Sequence, residues 1–234
     1  MYFSFVTLFP HLIKSYFSDS ILHRAIETKK ISIDFINPRD FSKNRFLKVD
    51  DYQIGGGAGL VLEPFAISEA LEKLKKCDSK AHIIFLTPCG KTFNQRDSKR
   101  LAKKEHIVLV CGRYEGFDER LIELYADEVL SVGDFILTGG ELAALCLCDS
   151  ISRQIDGVLG NSQSLQGESY EEFLLEAPNF VKPYIFKNLS VPSEYSKGNH
   201  AKIHDLKLKA SEAKTRFHRI DLYWQYKQRL KNEK

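Results

Sequence analysis

The sequence predicts an α/β fold, a mostly parallel sheet flanked by helices, with a small helical C-terminal domain. Three observations predict it. Short runs rich in Ile, Val, Leu and Phe recur through the first two-thirds of the chain, helical patterns lie between them, and the closing stretch from residue 197 reads as basic helix.

The strand-like runs are residues 2–9, 31–36, 82–86, 107–111 and 128–132, each bounded by turn or helix signals. The helical patterns are residues 64–76, 94–104, 118–125 and 141–151. Alternation of the two favours parallel strands with helices packed on the sheet. Ligands of such folds sit beyond the carboxyl ends of the strands, which directs attention to the loops after Leu86, Cys111 and Val132. Residues 160–182 are polar, then acidic, then punctuated by proline, and read as a mobile interdomain linker. The expected division is a catalytic domain over residues 1–160, a linker over 161–182 and a helical domain over 183–234.

The 234 residues carry a formal net charge of +3, with Lys, Arg and His crowded into the last stretch. Such a stretch suits nucleic acid, though a solvated helix face has the same composition. No apolar run approaches the roughly 20 residues of a membrane span. The N-terminal MYFSFVTLFP lacks a basic start and reads as a buried strand rather than a signal peptide. Cys77, Cys89, Cys111, Cys146 and Cys148 form no C-x-x-C pair and no zinc pattern, so reduced thiols in a cytoplasmic protein are expected.

Three glycine-rich places could carry chemistry. Residues 54–60, IGGGAGL, are not a phosphate-binding P-loop, because no Gly-Lys-Ser/Thr follows, and a plain flexible loop explains them equally well. Residues 111–120, CGRYEGFDER, place Gly112 and a charged cluster at a strand end. A strand-to-helix turn capped by Asp118 explains part of this segment, but not Arg113, Tyr114 and Glu115 together. Residues 131–141, SVGDFILTGGE, mix apolar residues and glycines without a simple period, and can offer peptide groups to a heteroaromatic ring between apolar walls.

These segments, with NPRDF (37–41), VDDYQIGGGAG (49–59), LTPCG (86–90), LVCGRYEGFDER (109–120), SVGDFILTGGELAA (131–144), DSISRQIDGVLG (149–160) and GNHAKI (198–203), closely resemble the bacterial tRNA (guanine-N1)-methyltransferase family, TrmD, of the SPOUT superfamily. They run in family order over nearly the whole chain. The resemblance implies a trefoil-knotted fold, which general topology rules exclude and periodicity cannot find. It implies methyl transfer from S-adenosylmethionine to N1 of the guanine at position 37 of tRNA, by a homodimer with shared active sites. It places the cofactor on Leu86, Thr87, Pro88, Gly112, Tyr114, Glu115, Val132, Gly133, Asp134, Phe135, Ile136, Leu137, Gly139 and Gly140.

The same resemblance gives Arg153 the charge on guanine O6, where an ordinary arginine at a helix C-terminus is the alternative. It puts the general base in the linker, where the family's aspartate is matched by Glu168, with Glu171 and Glu172 as rivals. Asp50 and Gly59 are candidates for reading loop bases, and Lys202 and Lys207, within a basic set that includes His204, Lys209, Lys214, Arg216 and Arg219, for RNA phosphates. Mg²⁺ is expected with the reaction, but no acidic cluster marks its ligands. Because the aspartate is missing, a non-catalytic RNA-binding protein on the same fold is the alternative of a different class.

Overall fold

The computed structural model describes residues 1–161, 165 and 167–232. The chain forms two compact units, Met1–Ser162 and Gln163–Lys234.

Each of the five expected strands of the first unit forms: β1 (Tyr2–Val6), β2 (Ser32–Ile36), β5 (His82–Thr92), β6 (His106–Cys111) and β7 (Glu128–Ser131). They make one sheet in the order β2-β1-β6-β5-β7, with every neighbouring pair parallel. Side chains alternate across it. Ile107 and Leu109 of β6, with Phe3, Phe5 and Ile84, pack on one face with residues of α2 (Ser20–Glu27), α4 (Gln95–Leu101) and α6 (Glu141–Ser152). Val108 and Val110, with Ile83 and Phe85, pack on the other face with α3 (Pro64–Cys77) and α5 (Glu119–Tyr125). All six residues of β6 are buried, as expected of a central strand covered on both faces.

Local chemistry sets the helix starts. Glu63 accepts from the Phe65 and Ala66 N–H groups ahead of Pro64, Asn94 and Asp97 form a capping box for α4, and Asp118 caps α5 through the Arg120 N–H. The sequence patterns did not mark the short α1 (His11–Lys14), α2, or the hairpin of β3 (Asp50–Tyr52) and β4 (Leu60–Leu62), whose connection is the glycine-rich loop 54–60.

One irregularity shapes the site. Leu86 and Lys91 of β5 both register with Leu130 of β7, so residues 87–90 bulge out of the strand. Gly90 is required there, since a Cβ would lie 2.6 Å from the Leu130 backbone nitrogen.

Ser4 Oγ lies 3.0 Å from His106 Nε2, and His106 Nδ1 lies 2.9 Å from Asp78. The order matches a hydrolase triad, but Ser4 is fully buried, so the set ties β1, β6 and the end of α3 rather than meeting a substrate.

In the second unit, β8 (Ile185–Phe186) and β9 (Leu189–Ser190) form a hairpin turned by Lys187 and Asn188, both in the left-handed region. Two helices follow, α7 (His200–His218), capped by Asn199, and α8 (Ile220–Asn232). The segment before the hairpin packs on α7: the Leu175 N–H donates to Thr215 Oγ1 at 2.8 Å, and Lys214 donates to the Glu176 carbonyl at 3.0 Å. No described helix is long and apolar enough to cross a membrane.

Candidate cofactor and active site

The carboxyl ends of β5, β6 and β7 converge on a cavity of about 230 Å³. Leu86 and the bulge residues Thr87 and Pro88 form one side. Gly112, Tyr114 and Glu115 follow β6, and Val132, Phe135, Ile136, Leu137, Gly139 and Gly140 follow β7. Of the residues the sequence singles out for the cofactor, Gly133 and Asp134 are the two outside this lining. Gly133 makes the turn instead, with its φ of 156° and its carbonyl accepting from the Phe135 N–H, while Asp134 is exposed. Arg113, Gly116, Phe117, Leu130, Ser131 and Ala143 also line the cavity, though the resemblance did not assign them to the cofactor. Leu130 and Ser131 end β7, and Ala143 lies in the first turn of α6, so their strand-end position was the available signal.

The glycines bring the loops together. The Gly140 N–H donates to the Gly112 carbonyl at 2.8 Å. A Cβ on Gly140 would lie 2.8 Å from the Gly112 nitrogen and 2.9 Å from Cys111 Cα, so any side chain would push the two loops apart. Tyr114 holds φ at +58°, a strained choice for a bulky residue, immediately beside Glu115. The Glu115 N–H donates to the Leu60 carbonyl at 2.9 Å, and a Cβ on Gly59 would meet the Glu115 side chain at 2.6 Å. The glycine-rich loop 54–60 therefore reaches the cavity rim through Gly59.

A buried ion pair locks these loops. Glu141, 2% exposed, accepts from Thr7 Oγ1 at 2.8 Å and from Arg113 Nε at 3.1 Å. Arg113 Nη2 stands 2.9 Å from Glu141 Oε2, an ion-pair distance without the alignment of a hydrogen bond, and Oε2 has no hydrogen-bond partner. Arg113 also donates to the Thr138 carbonyl and lies over the Phe9 ring. Burial, and then the nearby Glu141, push the Cys111 thiol well above its ordinary range, so it is a packing group rather than a nucleophile.

The other candidates lie elsewhere. Arg153 follows α6 and is half-buried, with its N–H bonded to the Asp149 carbonyl. Tyr16 donates to Asp149 at 2.6 Å, and that bond, with burial, pushes the phenol up to about 12, so it stays a donor. Asp50 lines a separate open groove of the first unit, with Lys48, Tyr52, Phe65 and Arg120. Glu168, Glu171, Glu172 and Lys207 line a cavity of about 480 Å³ in the second unit, and Lys202 is exposed in the first turn of α7. Among the described residues, no group of three or more His, Cys, Asp or Glu converges on a point where a metal could sit.

A parallel sheet covered on both faces, with a glycine-built slot of apolar walls and peptide groups at its strand ends, defines an α/β protein with a candidate ligand site on backbone loops. The chain belongs to the tRNA (guanine-1)-methyltransferase family, TrmD, a family of methyltransferase enzymes whose model matches residues 1–225. It is 60% identical to the tRNA (guanine-N(1)-)-methyltransferase of Campylobacter curvus (strain 525.92), over 100% of this chain and 99% of the relative. It is 58% identical to the protein of that name from Sulfurimonas denitrificans, over 98% of this chain and 100% of the relative. With the one from Wolinella succinogenes it shares 61% identity, over 97% and 96% of the two chains.

Proposed function

We propose that the chain transfers a methyl group from S-adenosylmethionine to N1 of the guanine at position 37 of tRNA, on the 3′ side of the anticodon. The observation that carries this reading is the slot closed by Gly112 and Gly140 at the strand ends, in a chain that matches the methyltransferase family over residues 1–225.

The slot fits the donor. Leu86, Leu130, Val132, Leu137 and Ala143 offer apolar plates for the adenine ring, and the peptide groups of the loops after β6 and β7 offer polar partners for its edge. Thr87, Pro88, Tyr114, Glu115, Phe135 and Ile136 complete the wall, with Gly133 and Asp134 shaping the loop behind it. When bound, S-adenosylmethionine supplies an electrophilic sulfonium methyl group and a thioether leaving group.

The chain's own side chains handle the proton and the charge. N1 of neutral guanine carries a proton, so N1 becomes nucleophilic only as a base removes it. Glu168 takes that proton as the N1–carbon bond forms and the sulfur–carbon bond breaks. Negative charge builds on O6 as the proton leaves, and the Arg153 guanidinium stabilises it. Asp50 and Gly59 read loop bases, while Lys202 and Lys207 hold phosphates without reading sequence.

The reading includes the knotted topology of the family for the first unit and a homodimer with shared active sites, at work in the cytoplasm. Phe9, Leu12, Tyr16 and Leu142 expose apolar surface around α1 and α6, and a second copy would cover it. Mg²⁺ belongs to the same reading, but the described residues form no protein cage for it, and no step is assigned to it.

The test is transfer of labelled methyl groups to tRNA carrying guanine or adenine at position 37. Label is expected on the guanine form alone; no label on either would favour an RNA-binding protein without catalysis.

A further inference from the structure

The segment that carries Glu168 is fastened to α7 by one peptide N–H and folded back on itself by the next. The Leu175 N–H donates to Thr215 Oγ1 at 2.8 Å, and the Glu176 N–H donates to Ser169 Oγ at 3.0 Å. The first bond ties the segment to the helix, and the second folds it back onto the residue next to Glu168. Lys214 donates to the Glu176 carbonyl at 3.0 Å, and Glu172 lies 3.6 Å from Arg229 of α8. The turn between is closed by the Tyr170 N–H on the Leu174 carbonyl at 2.8 Å. Tyr170 and Phe173 hold φ at +76° and +63°, conformations that non-glycine residues keep only where the surroundings fix them.

Thr215 is an unexpected residue for its place. It is fully buried within α7, and its hydroxyl donates to the Ser211 carbonyl one turn back at 2.6 Å. Such back-bonding is neutral to unfavourable in a helix interior, and an apolar residue of the same shape would pack as well. What the hydroxyl adds is an acceptor for the Leu175 N–H, a group that would otherwise lose its partner.

We infer that Thr215 and Ser169 are positioning residues for methyl transfer: Thr215 fixes the segment bearing Glu168 to α7 and Ser169 holds the turn beside Glu168 closed, so the base moves as one body with the helix that carries Lys202 and Lys207. This rests on the assignment of Glu168 as the base. Neither residue needs to touch the substrate. A base held slightly out of place loses rate steeply while binding is spared.

The experiment is single-turnover methyl transfer to guanine-37 tRNA, with S-adenosylmethionine and tRNA affinities measured on the same full-length preparations. Thr215→Val is expected to lower the rate at saturation about tenfold or more, with both affinities within about twofold of wild type, and Thr215→Ser to restore it. Ser169→Ala, which leaves α7 untouched, is expected to lower the rate in the same way and decides the matter if Thr215→Val fails to fold. A purely structural role would lower thermal stability and leave the rate per bound tRNA unchanged, which would overturn the inference. Glu168→Gln run alongside separates the two claims. If it loses transfer while Thr215→Val and Ser169→Ala keep it, the positioning role is wrong; if it keeps full transfer, the assignment of the base fails and the inference fails with it.

Discussion

The slot at the strand ends and the segment around Glu168 are built on opposite principles. The floor of the slot is made of backbone and buried side chains: Gly112 and Gly140 in contact, Leu86 and Leu130 in the core, and Glu141 sealed at 2% exposure against Thr7 and Arg113. The Glu168 segment is made of half-buried and exposed side chains, closed by its own N–H groups and fastened to α7 at Thr215. The difference teaches where each task can be placed. A cofactor that is the same in every turnover suits walls that do not move, because preorganisation lowers the cost of binding. A proton acceptor that must meet a base on a large RNA, the role proposed for Glu168, suits a segment attached to the helix proposed to hold that RNA.

Changes that break the slot should therefore act on stability and cofactor affinity together. The largest effect is expected from Glu141→Gln, which leaves the Arg113 guanidinium without its buried carboxylate and should cost about 3 kcal/mol, read by denaturant unfolding. Gly140→Ala should follow, at about 1–3 kcal/mol, because the added Cβ meets the Gly112 backbone and not a side chain that could turn away. The same variant should weaken S-adenosylmethionine binding about tenfold or more, measured by calorimetry. Thr7→Val removes one donor to Glu141 at constant shape and should cost about 1 kcal/mol, with a smaller loss of cofactor affinity.

The smallest effect lies at the sheet edge and sharpens the comparison by sparing the slot. Burial by itself raises the Glu128 carboxyl, but the bonds from Arg100 and His82 outweigh it and hold the group below its ordinary value. A folded-state value below the unfolded one gives stability that is present above the unfolded value and lost as pH falls through the folded one. Glu128→Gln should therefore melt below wild type at neutral pH, with the gap closing as pH falls through the depressed folded-state value, and cofactor affinity at neutral pH should not change.

How much was legible follows from the distance over which each feature is encoded. The strands were, because runs such as IVLVC at residues 107–111 announce a buried central strand within a few residues. The loops after Leu86, Cys111 and Val132 were, because a parallel sheet directs ligands to strand ends. The bulge at residues 87–90 was not, since it appears only in the register of β5 against Leu130. The bond between Arg113 and Glu141 joins residues 28 apart, and that between Leu175 and Thr215 joins residues 40 apart, so no local pattern marks either. The β3–β4 hairpin was hidden by the glycines between its strands.

The central claim is that holding the cofactor and removing the proton belong to different parts of the chain. Glu168→Gln, measured for S-adenosylmethionine affinity and single-turnover methyl transfer on one preparation, tests it most directly. The account predicts unchanged affinity and a rate lower by about 10²-fold or more. Full transfer by this variant, with transfer lost in Glu171→Gln or Glu172→Gln instead, would contradict it.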